Sequence, residues 1–181
     1  MQDAMKILIS DEGVLLCMDL FILRHGKAEK SSDGTPDATR ALTRKGKVGV
    51  KKVAQWMKKN KIRFDAIATS PLQRAQGTAK IVAAVLDQKD RLIVWDELAP
   101  GGDPDTVCYH ASDYGKHASV LVIGHEPGLS MLISKITADS GNGSPGIAKA
   151  GLAKIQNYSY TKRPSGDLQW LLTPKHMKDT L

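Results

Sequence analysis

The chain begins to show a pattern at Leu20-Phe21-Ile22-Leu23, an apolar run that stops abruptly at Arg24-His25-Gly26. An unbroken run of this kind predicts a strand over residues 19–23, buried on both faces and carrying polar groups to its C-terminal end. Residues 30–38, rich in Ser, Gly, Asp and Pro, predict a loop. Thr43 is placed to cap a helix over residues 44–60. There, at 100° per residue, Val50, Val53, Ala54 and Met57 share one face, and Lys47, Lys51, Lys52, Lys58 and Lys59 occupy the other. Residues 64–69 predict a second strand, Ser70-Pro71 a helix start, and residues 72–86 a helix. A third strand over 91–95 is followed by a Pro/Gly loop over 97–104 and a weaker helix over 104–113. The clearest buried strand spans 119–123 and ends in Gly124-His125-Glu126-Pro127. A helix over 128–138 and a Gly/Ser/Pro loop to residue 146 come next. Two strands, 151–158 and 167–172, flank a turn predicted at 163–166.

Strands that alternate with helices predict a sheet covered on both faces. The expected architecture is a three-layer α/β/α sandwich with a mainly parallel central sheet and a C-terminal antiparallel edge. One domain is expected over residues 18–181, preceded by an N-terminal extension over residues 1–17.

Composition narrows the class of protein. Hydrophobic residues make up 41% of the 181 residues and charged residues 25%, which excludes a disordered chain, a collagen-like repeat and a coiled coil. No apolar run approaches the roughly 18 residues that span a bilayer. The first residues lack a basic region followed by a sustained apolar stretch, so no secretory signal is read there. Cys17 and Cys108 are isolated thiols without metal-ligand spacing, which fits a reducing compartment. The expectation is a cytoplasmic protein with no membrane partner.

The formal net charge is +7, from 26 Lys and Arg against 19 Asp and Glu. Residues 24–63 alone hold 13 of those cations against Glu29, Asp33 and Asp37, so the rest of the chain is net acidic. A basic excess suggests nucleic acid, a membrane surface or an acidic substrate. Most of this one is the solvated face of the helix over 44–60. That face has no interleaved aromatics beyond Trp56 and no nucleic-acid-binding motif, and the expectation is no nucleic-acid partner.

Three predicted strand ends carry the candidate chemistry, and sites on open parallel sheets form beyond such ends. They bring Arg24 and His25, Ser70 to Arg74, and His125 towards one crevice. Arginine offers forked donors to phosphate oxygens, and histidine serves as nucleophile, acid or donor. These residue types together predict a phosphate site with a histidine at its centre, with no metal and no cofactor. His110, His117 and His176 lack such contexts and read as surface residues. Trp56, Trp95 and Trp170 read as packing residues.

Leu23-Arg24-His25-Gly26, Ser70-Pro71-x-x-Arg74-Ala75-x-x-Thr78-Ala79 and Gly124-His125-x-Pro127 resemble the signatures of the histidine phosphatase superfamily, which includes phosphoglycerate mutases. Within it the chain is most similar to SixA-type phosphohistidine phosphatases. Arg40-Ala41-Leu42-Thr43-x-x-Gly46, Glu97-Leu98-x-Pro100-x-Gly102-Asp103 and Leu172-Thr173-Pro174 support that likeness. The resemblance implies that His25 attacks phosphorus and is transiently phosphorylated, while Arg24, Arg74 and His125 bind the phosphoryl oxygens. It also implies a phosphate or substrate contact for Arg40. Glu97 lies where many members carry a catalytic carboxylate, and it joins the substrate-binding candidates. Only 16 residues separate Gly26 from Thr43, an opening suited to a phosphoryl group presented on a phosphohistidine-bearing protein. A phosphatase or mutase acting on small phosphoesters, and a non-catalytic phosphoprotein-binding module, stay open as alternatives at this level.

Overall fold

A computed structural model describes residues 17–30, 36–137 and 145–177. All but one residue of the expected N-terminal extension, part of the predicted 30–38 loop and most of the loop after residue 137 lie outside the described residues. Six strands form a single sheet in the order β3-β2-β4-β1-β5-β6: β1 Met18–Arg24, β2 Ala66–Thr69, β3 Leu92–Val94, β4 Ser119–Gly124, β5 Leu152–Tyr160 and β6 Pro164–Leu172. The first four in this order are parallel, and β5 and β6 are antiparallel additions. Among the described residues four α-helices accompany the sheet: α1 Arg44–Lys59, α2 Gln73–Leu86, α3 Pro104–Ser112 and α4 Gly128–Thr137.

Strand periodicity divides the interior into two cores. Leu20 and Ile22 of β1, Val120 and Val122 of β4, and Ala66 and Ala68 of β2 face Val107, Cys108, Leu129, Leu132 and Ile133 of α3 and α4. Phe21, Leu23, Leu121, Ile123 and Ile67 face the other way, onto Val50, Val53, Met57, Ala79, Val82 and Leu86 of α1 and α2. Because consecutive residues are buried on opposite faces, the strands read as continuous apolar runs. Burying each such aliphatic side chain contributes about 1.5–3 kcal/mol, and the central strands are the rigid base from which the site projects. Trp95 is buried, and Trp56 and Trp170 pack edge to face at 5.6 Å, as packing residues. Among the described residues no helix is long and apolar enough to cross a membrane.

The sequence places the hairpin turn at 163–166, but in the structure β6 begins at Pro164. Tyr160 pairs with Pro164 and Ser159 with Ser165, so the turn occupies residues 161–163. Proline lacks a backbone donor and is tolerated at the first position of an edge strand. Turn-type residues there conceal a strand. The predicted loop over 97–104 also starts differently, with a 3-10 turn at Asp96–Leu98 that buries Leu98.

Candidate active site

Register sets the crest of the sheet. Arg24 at the end of β1 pairs with Gly124 at the end of β4, and Thr69 at the end of β2 pairs with Ile123. The next residues, His25, Ser70 and His125, therefore leave three adjacent parallel strands at one level. The His25 N–H still donates to Gly124 O at 3.2 Å, and the Ser70 N–H to Ile123 O at 3.0 Å. The His25 and His125 ring centroids lie 4.9 Å apart. Four of the sequence-predicted residues, Arg24, His25, Arg74 and His125, are thus collected at one place.

His25 is buried, with its Nδ1 2.7 Å from the carbonyl oxygen of Gly26. A carbonyl only accepts, so Nδ1 carries the proton and Nε2 keeps its lone pair. Burial, opposed by this hydrogen bond and reinforced by the charges of Arg74 and Arg24, lowers the His25 pKa to about 4. The ring is neutral at physiological pH, as a nucleophile requires. His125 is held by its other nitrogen, Nε2 lying 2.8 Å from Ser70 Oγ. Burial, with His25 and Arg74 nearby, lowers its pKa to about 3.

The cations are held in place by backbone and by one carboxylate. Arg24 Nη1 donates to Ile147 O at 2.7 Å. Arg74, buried on the first turn of α2, donates from Nη1 to the Asp37 carbonyl and from Nη2 to Asp37 Oδ2, both at 2.8 Å. Arg40 donates from Nη1 to Asp37 Oδ1 at 2.6 Å and from Nε to Glu29 O at 2.9 Å. Asp37, in a 3-10 turn at Asp37–Thr39, therefore links the two guanidinium groups. The Arg74 hydrogen bond, with Arg40 adding to it, holds its carboxyl below the usual carboxylate range. The sequence reading passed over Asp37; its i,i+3 spacing to Arg40 was the available signal. Two buried polar atoms of the cluster, Arg24 Nε and His125 Nδ1, have no hydrogen-bond partner among the described residues. Buried polar atoms are rarely left so, and the unpartnered Arg24 Nε–H beside a neutral histidine suits an anion.

Local packing fixes the loop after β1. The Gly26 N–H donates to Thr78 Oγ1 at 3.1 Å, and the Thr78 hydroxyl donates to Arg74 O at 2.8 Å, tying the loop to α2. Thr43 caps α1 by accepting the Gly46 N–H at 2.9 Å, and its hydroxyl donates to Lys27 O at 3.0 Å. Gly46 lies so close to that loop that a Cβ there would sit 2.0 Å from Lys27 O.

Glu97 stands apart from the arginines. It is half-buried in the Asp96–Leu98 turn, with Oε2 3.9 Å from His110 Nδ1, and lines a cavity of about 20 Å³ together with His125. That volume holds about one water molecule. His110 keeps 35% of its side chain exposed and leans on the Trp95 ring at 5.4 Å; His117 and His176 are exposed. Ser70 also differs from expectation. Helix α2 starts at Gln73 with Leu72 as its N-cap, and Ser70 Oγ accepts the Leu72 N–H at 3.3 Å two residues earlier. Among the described residues no group of three or more His, Cys, Asp and Glu is arranged to hold a metal ion.

Comparison with known proteins places these features in context. The model of the histidine phosphatase superfamily (branch 1) matches residues 20–99. Phosphohistidine phosphatase SixA of Escherichia coli is 29% identical over 163 residues, covering 89% of this chain and 97% of that protein. A SixA homolog from Haemophilus influenzae is 31% identical over 132 residues, covering 67% and 76% of the two chains. The solved structure of the protein histidine phosphatase SixA complexed with tungstate superposes with a TM-score of 0.78 at 27% identity, covering 89% of this chain and all of that one. A phosphoglycerate mutase from Bacillus anthracis shares the fold at 17% identity, with a TM-score of 0.66.

Proposed function

Since the chain belongs to the histidine phosphatase superfamily and is SixA-like over most of its length, we propose that it removes phosphoryl groups from phosphohistidine carried on a protein, with His25 as the nucleophile. One observation carries this reading. The His25 Nδ1–H is committed to Gly26 O, so the lone pair of Nε2 is free beside Arg24, Arg74 and His125. In the first step Nε2 attacks phosphorus and the P–N bond to the substrate ring breaks. A substrate ring already protonated on its second nitrogen leaves as neutral imidazole, so no acid need act on it. In the second step water attacks phosphorus, the P–Nε2 bond breaks, inorganic phosphate departs, and the water proton passes to solvent.

Arg24 and Arg74 stabilise the charge on the equatorial oxygens, and His125 donates to one of them. Removing one such preorganised donor typically costs roughly 2.7–4 kcal/mol of barrier. The tungstate held by the related SixA structure is a tetrahedral oxyanion of phosphate shape, which supports an oxyanion site at this crest. Arg40, tied to Asp37 at the margin, contacts substrate or supports Arg74. Glu97, with Oε2 3.9 Å from His110 Nδ1, borders the site.

The test is phosphate release from a phosphohistidine-bearing protein and from a panel of sugar phosphates, for wild type and His25→Ala. Expected are turnover on the phosphoprotein, none in the variant, and a phosphorylated His25 trapped by acid-free quenching. Faster turnover on the sugar phosphates would replace the substrate class. Full activity in His25→Ala would remove the mechanism.

A further inference from the structure

We propose that Ser70 is a positioning residue whose hydroxyl decides which nitrogen of His125 carries the proton, and so makes His125 a donor to the phosphoryl group; this rests on the phosphatase reading above. A neutral imidazole has one N–H and one lone pair, so its two tautomers present opposite faces to a ligand. His125 is buried, its Nε2 is 2.8 Å from Ser70 Oγ, and its Nδ1 is buried with no hydrogen-bond partner among the described residues. If Nε2 carried the proton, Nδ1 would turn a bare lone pair on an anionic oxygen and repel it. If Nδ1 carries it, the same atom becomes a donor.

Ser70 separates the two cases. Its side chain is fully buried, and Oγ already accepts the Leu72 N–H at 3.3 Å. When the Ser70 hydroxyl donates to His125 Nε2, every group in the chain Leu72–Ser70–His125 is used once, and the single proton left over stands on Nδ1. In the opposite arrangement Oγ accepts twice, and its own proton has no acceptor among the described contacts of Ser70. Buried hydroxyl protons without acceptors are costly. The backbone of α2's entry turn thus sets the direction of a hydrogen bond that ends at the reacting group. Burial of His125 strengthens the effect, because an imidazolium would donate from both nitrogens and make the choice irrelevant.

The deciding measurement needs no variant. In ¹⁵N-labelled wild-type protein at pH 7, long-range ¹H–¹⁵N spectra should show His125 protonated on Nδ1, with Nε2 as the unprotonated nitrogen. In Ser70→Ala the two nitrogen signals should move towards the average of mixed tautomers. Its kcat on a phosphohistidine protein should fall about a hundredfold, with the thermal midpoint close to that of wild type. Ser70→Thr, which keeps the hydroxyl, should restore both the signals and most of the rate. Protonation of wild-type His125 on Nε2 overturns the proposal even if the variants fail to fold, and so does an unchanged kcat in Ser70→Ala. A tautomer as described in an enzyme whose His25→Ala variant still turns over would instead overturn the phosphatase mechanism, so the two failures are distinguishable.

Discussion

His25 and His125 share one crevice but are tied at opposite ring nitrogens, His25 through Nδ1 to Gly26 O and His125 through Nε2 to Ser70. Each ring therefore keeps its other nitrogen for chemistry. Both pKa values lie below the ordinary 6.5, at about 4 and about 3, chiefly through burial. In the unfolded chain both rings bind protons as pH falls through 6.5, whereas the native protein resists until about pH 4. Stability is therefore fully present above pH 6.5 and is lost progressively as pH falls towards 4. Thermal midpoints followed by circular dichroism should decline across that window, and His25→Ala should show a shallower decline. Of the four principal candidates, Arg24, His25 and His125 were legible because each stands at or just after a strand end, and Arg74 because it opens the helix that follows β2. Asp37 and the second bond of Ser70 were not. Asp37 meets Arg74 across 37 positions, and Ser70 meets His125 across 55, so neither pairing leaves a local pattern.

At the scale of elements, α1 is where propensity and packing are most sharply opposed. Gly46 and Gly49 lie three positions apart in the same helix. A Cβ at Gly46 would meet Lys27 O at 2.0 Å, while one at Gly49 would meet nothing within 4 Å. Gly49→Ala should thus stabilise the protein by about 0.5–1 kcal/mol, the usual helix-propensity gain. Gly46→Ala should destabilise it by about 1–3 kcal/mol and lower kcat, because the helix start presses on the loop that carries His25. Urea titrations of the two variants, with turnover measured alongside, check both signs. The amphipathic stripe made α1 legible to within a residue, and Thr43 identified its start. The 3-10 turns at Asp37–Thr39 and Asp96–Leu98 were hidden inside loop composition, since three residues are too few to show a period. The start of β6 was hidden by turn-forming residues that pair all the same.

For the whole molecule, charge and topology act over different ranges. The exposed cations Arg44, Lys45, Lys47 and Lys51 lie on the first turns of α1, whose cap is bonded to the His25 loop. A field of this kind raises encounter rates with anionic partners and is screened over about 10 Å at 0.1 M salt. Lys47→Glu combined with Lys51→Glu should lower kcat/KM for a phosphoprotein severalfold at low salt and leave turnover of a small aryl phosphate nearly unchanged. Stopped-flow assays at two ionic strengths test this. The α/β class and antiparallel edge were legible from the alternation of elements, but the strand order was not, because it depends on partners far apart in the chain. That order also imposes a timetable on synthesis. β1 pairs only with β4 and β5, Asp19 standing opposite Ser119 and Leu23 opposite Leu152. A ribosome that has just completed β3 has already made His25 and Arg74 but no strand that β1 can join. His25 thus leaves the ribosome with β1, yet the strands that hold it in place, β4 and β5, are made only after β3.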